Sequence, residues 1–146
     1  MNNKYILVGV TILAAIVTFA LSRVIWPDPA GMAGPSANLV PYFLFLSALE
    51  SIAFGMGVSF LLFGYSRVRN LLPESPKLAR ASFIAVAWML ISWWPHDNMH
   101  RVNGMDFPGL LRIEFIFHFT LIISAFILAT FLSRLLVKNS TNTSHY

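Results

Sequence analysis

The sequence predicts an all-α integral membrane protein: four transmembrane helices in an up-and-down bundle, both termini cytoplasmic. Three observations carry this. First, 57% of the 146 residues are hydrophobic and 11% charged, against about 45–50% and about 25% in soluble domains. So few charges could not cover a water-soluble fold of this size. Second, apolar runs recur at lengths near the roughly 20 residues that cross a hydrocarbon core of about 30 Å. Third, Lys and Arg lie between and beyond those runs, biased to alternate connections.

The same composition excludes other classes. Thirteen Phe and four Trp argue against disorder. The absence of Cys excludes a disulfide scaffold and any thiolate metal site. The formal charge of +4 suggests nucleic acid, but the basic residues flank apolar segments and form no patch on a polar domain, so no nucleic-acid partner is expected.

Residues 1–138 read as one membrane domain and 139–146 as a polar tail. The first span runs over about 5–25 and holds Thr11, Thr18 and Ser22 but no charge before Arg23. Its apolar stretch exceeds the 7–15 residues of a signal-peptide core, so it reads as a retained helix. The second covers about 41–65, with Glu50 inside it. The third covers about 76–94: Ser75 suits the N-cap, Pro76 the first helical position, and Pro95 ends it. The fourth covers about 109–137 and carries Arg112, Glu114 and His118 in its first half.

Four spans place Lys4, Arg67, Arg69, Lys77, Arg80, Arg134 and Lys138 on one side and Arg23, Arg101 and Arg112 on the other. Seven against three makes the termini cytoplasmic, in a plasma (cell) membrane. Trp26, Trp93 and Trp94 then mark the outer interface as anchors. Residues 27–38 and 95–108 become outer loops. The inner loop 66–75 is basic and suits anionic headgroups. Lipid gives helices no hydrophobic reason to associate, so contact through small residues is expected. Such stripes are Thr11, Ala15, Thr18, Ser22; Ser47, Glu50, Gly57, Gly64; Ala81, Ala85, Trp88, Ser92; and Glu114, His118, Ala125, Ala129.

Ionisable residues inside the membrane are costly, about 2.5–3.5 kcal/mol on insertion scales, so they demand a reason. Glu50 and His118 each lie about 14 Å below the outer end of their spans, which makes them a candidate intramembrane proton or ion site. Glu114 and His118 share a helix face. His96 and His100 have the same spacing, with Asp97 between. If Pro95 opens a short helix, both imidazoles can hold one ion. His96, Asp97, His100, Glu114 and His118 are therefore the candidate metal set, for copper or zinc. Met99 and Met105 flank His100 and add weakly to copper. The competing reading is structural, with these groups capping helices and keeping the rim polar. Arg101 with Asp106 reads as a loop ion pair.

Three functions follow. One is a non-catalytic accessory subunit of a larger membrane complex, such as a respiratory or metal-dependent enzyme, because the chain has no catalytic motif. Its partners would be lipid and other membrane subunits, or further copies of itself. Another is a metal- or proton-binding membrane protein in its own right. The third is a small proton-coupled transporter using Glu50. In size and layout the chain resembles the small multidrug exporters, but that family carries its essential Glu in the first helix, whereas Glu50 lies in the second.

Overall fold

A computed structural model describes residues 3–104 and 106–143. Met105 and the last three residues of the tail lie outside the described residues. All regular structure among the described residues is helical: α1 (Asn3–Ile25), α2 (Val40–Phe63), α3 (Tyr65–Leu71), α4 (Pro76–Ile91), α5 (Trp93–Asn103) and α6 (Phe107–Thr143). Three helices, α1, α2 and α6, are long and apolar enough to cross a membrane. The number rises to four if α4 and α5, bent by 43° at their junction, count as one span.

Large apolar side chains point outward, as in a protein whose solvent is lipid. Phe115 is 67% exposed, Phe126 71% and Leu136 71%. The inside is built of small residues: Ala15, Thr18, Ser51, Ser59, Ala79, Ser82 and Ala85 are buried. Close backbone approach through small residues is the packing mode expected of helices in lipid. Gly55 lies so near α1 that a Cβ there would stand 3.1 Å from the Ala15 nitrogen. Thr11 Oγ1 and Ser59 Oγ share a 2.6 Å hydrogen bond across the same seam. The main contacts run α1 to α2, α2 to α4 and α4 to α6, with α5 against α2 and α6.

The stripe on α1 is the packed one at Ala15 and Thr18. On α2 the buried face is Ser51, Gly55, Gly57 and Ser59, so only Gly57 and Gly64 of the expected stripe are buried. On α6 the packed residues are Ile113, Phe117, Ser124 and Phe131. Ala125 and Ala129 face outward, while Phe117 stacks on Trp88 of α4 at 5.7 Å.

Several boundaries differ from expectation. The segment 66–75 is not all loop, since α3 occupies its first half. Pro95 does not end a helix. The helix bends one turn earlier, at Ser92, and Pro95 is the third residue of α5. A proline is tolerated in a first turn, and its missing N–H removes a bond to the preceding turn, which accounts for a bend there. Residues 95–103 are accordingly helix and not loop. Gly104, at φ +54°, then closes α5 with its N–H on the His100 carbonyl. Asp106 begins α6 by accepting the Gly109 N–H at 3.2 Å, a side-chain cap. Finally, α6 continues past 137 into the expected tail, to Thr143.

Candidate metal centre

The short helix α5 decides the site. Because 93–103 is helical, His96 and His100 lie one turn apart on one face. Their Nε2 atoms are 3.1 Å apart. α6 supplies the opposite wall: Glu114 Oε1 lies 3.1 Å from His100 Nε2. The other carboxylate oxygen of Glu114 pairs with His118 Nδ1, one turn further along α6. One nitrogen each from His96 and His100 and one oxygen from Glu114 all fall within 4.8 Å of one another.

These spacings suit a metal. Two ligands about 2.05 Å from a zinc ion at the tetrahedral angle stand about 3.3 Å apart. The His96–His100 and His100–Glu114 spacings, both 3.1 Å, match this separation, and the three ligand atoms lie within 4.8 Å of one another. His96 is also oriented as a ligand. Its Nδ1 lies 3.0 Å from Asp97 Oδ1, so the proton belongs on Nδ1 and the Nε2 lone pair points at the cluster. A carboxylate behind a histidine is the arrangement that fixes the ring and raises its basicity as a ligand. Phe117 packs edge-on against the His96 ring at 5.1 Å, and the His118 ring is 5.3 Å from it. All five residues of the expected metal set are thus brought together, with Asp97 behind His96 and His118 behind Glu114.

Glu50 and His118 are not brought together. His118 pairs with Glu114, whereas Glu50 lines a cleft together with Asp97 of α5. This cleft, of about 520 Å³, lies between α1, α2 and α5. His100 also lines this cleft, so one imidazole is common to the cleft and the metal cluster. Phe19, Phe43, Leu44 and Leu46 make up most of its apolar wall.

Sequence reasoning passed over Asn98, which holds α5 in place. It is buried, its Oδ1 accepts from Ser22 Oγ and from Arg101 Nη2, each at 2.9 Å, and its Nδ2 donates to the Trp94 carbonyl at 2.7 Å. Arg101 does not pair with Asp106. Its guanidinium bonds Asp28 Oδ1 at 3.0 Å and the Trp26 carbonyl at 2.6 Å. That ties α5 to the segment after α1, and Arg23 joins the same Asp28. The available signal was Asn98 itself, an amide two residues beyond His96 and one turn beyond Trp94. The three tryptophans expected as interface anchors divide: Trp93 is exposed, while Trp94 packs edge-on to Trp26 at 6.0 Å and to Phe54 at 5.2 Å.

Comparison of the chain with protein-family models, with curated proteins and with solved structures finds no match in any of the three.

Proposed function

We propose that this chain is a multi-pass membrane protein that binds one divalent transition-metal ion, zinc or copper, between α5 and α6. The convergence of His96 Nε2, His100 Nε2 and Glu114 at ion-sharing distances carries the reading. Three protein ligands leave a coordination position for water or a ligand, the pattern of catalytic rather than closed structural zinc sites. Calorimetric titration of the purified protein with Zn²⁺, and visible spectra with Co²⁺, test it. Wild type should bind one equivalent and a His96→Ala, His100→Ala double variant none. Equal metal content in both ends the proposal.

The accompanying topology has four spans, with α4 and α5 crossing as one, both termini cytoplasmic, and the chain in the cell membrane. The Lys and Arg bias supports it. The absence of native Cys permits single-cysteine labelling from either side. Arg67→Cys and Ser140→Cys should label from one side and Ala33→Cys from the other. If position 140 labels opposite to 67, three spans cross and the bent pair re-enters.

A second reading is proton-coupled transport through Glu50, favoured by its place with Asp97 in the lining of the cleft. Glu50→Gln should abolish proton flux in proteoliposomes if this holds. The accessory-subunit reading rests on composition alone. It is compatible with a bound metal, and stoichiometric partners on native purification would support it.

A further inference from the structure

At the end of the molecule away from the metal cluster, a second cleft of about 370 Å³ lies between α3 and α4. It is lined by Tyr65, Pro76, Lys77, Arg80, Ala81 and Ile84. Lys77 and Arg80 are exposed, and among the described residues neither makes a hydrogen bond or an ion pair. Glu74, the acidic residue nearest them in sequence, is engaged instead by Lys138 at 3.4 Å. The two cations thus stand in a cleft without an anion.

The floor of the cleft has the opposite character. Ala81 and Ile84 continue along α4 from Arg80, and Ile84 lies about 10 Å along the helix from Lys77. Ile84 is itself 56% exposed, an aliphatic surface open to lipid. Tyr65 forms the other wall and is held edge-on by Phe83 at 5.4 Å. Positive charge at the mouth, an aliphatic strip running from it along a membrane helix, and an aromatic side wall together match one kind of molecule. The headgroup end must be anionic and the remainder a hydrocarbon chain.

We infer that this cleft is a binding site for an anionic glycerophospholipid, its phosphate between Lys77 and Arg80 and an acyl chain along Ala81 and Ile84. The inference is independent of the metal. Charge complementarity favours the anionic lipid over a zwitterionic one, whose own cation would meet two others. Juxtamembrane cations each contribute about 1 kcal/mol to such attraction, about a fivefold preference per charge.

Native mass spectrometry of the full chain, released from bilayers mixing phosphatidylglycerol with phosphatidylcholine, tests it. Wild type should retain phosphatidylglycerol in preference. A Lys77→Gln, Arg80→Gln variant should lose the preference by about 25-fold. An Ile84→Trp variant keeps both charges but fills the strip, and it should also lose retained lipid. Soluble glycerol phosphate should not displace it. Equal retention of the two lipids by wild type overturns the site. So does an equal loss in an Arg67→Gln, Arg134→Gln variant, which would mean diffuse surface attraction. Undiminished retention by Ile84→Trp, or displacement by glycerol phosphate, overturns it as well.

Discussion

His96 and His100 face each other on one turn of α5 with their Nε2 atoms 3.1 Å apart, and Asp97 stands behind the first of them at 3.0 Å. The pair therefore has a built-in difference. His96 has its far nitrogen occupied and its near nitrogen free to accept. His100 Nε2 stands 3.1 Å from that nitrogen and 3.1 Å from the Glu114 carboxylate, so a single N–H there can serve only one of them.

Asp97 is predicted to matter without touching the ion. Asp97→Asn keeps the shape but presents a neutral partner to His96 Nδ1. Loss of such a supporting carboxylate costs about 10–100-fold in metal affinity. Zinc titration of the purified variant checks this. Unchanged affinity would show that Asp97 does not orient His96.

The α1–α2 seam should be intolerant of bulk at Gly55. A Cβ there meets the Thr11 carbonyl and stands 3.3 Å from the Ala15 Cβ. Backbone cannot step aside as a flexible side chain can. Gly55→Ala should destabilise by about 1–3 kcal/mol. Gly9→Ala, on the same pair of helices but with nothing within 4 Å of the added methyl, serves as the control. Thermal unfolding in detergent should separate the two. Equal melting temperatures would mean that the seam is looser than described.

Asn98 is predicted to link stability to the metal centre. Asn98→Ala leaves the Ser22 hydroxyl and one of the two Nη2–H groups of Arg101 without their acceptor, at about 1–3 kcal/mol, while the other still reaches the Trp26 carbonyl. It also frees α5 from α1, so zinc affinity should fall although no ligand is changed. Ser22→Ala removes one arm of the same node and should have a smaller effect in both assays. Loss of stability with full zinc affinity would show that α6 alone holds the site.

The membrane character and the two i, i+4 pairs, His96 with His100 and Glu114 with His118, are legible because both depend on local spacing. Apolar length reads directly as a span, and i, i+4 histidines converge on any helix. What escaped depends on contacts between distant segments. The Arg101–Asp28 pair joins residues 73 apart, and nothing near Arg101 marks Asp28 as a better partner than Asp106. Glu50 was matched to His118 by depth alone. Depth does not fix azimuth, and α5, read as loop, was the element that came to face Glu50. On α6 alanine does not mark the packed face: Ala125 and Ala129 are exposed, and Phe117 is the residue stacked on Trp88.

Glu74, in the turn between α3 and α4, offers a pH signature with a definite sign. Its carboxyl is held below the usual carboxylate range, first by its own backbone N–H, against an opposing desolvation, and then by Lys138 and Arg69. A carboxyl lowered on folding contributes stability above its unfolded value, and that contribution is lost as pH falls through the folded one. Glu74→Gln should therefore melt at a lower temperature than wild type at neutral pH. The gap should be small, because the group is fully exposed and screened. It should close in acid as the wild-type carboxyl protonates. Melting curves of both proteins from neutral to acid pH read this directly, and a gap that persists at the acid end would assign the effect to something other than the charge of Glu74.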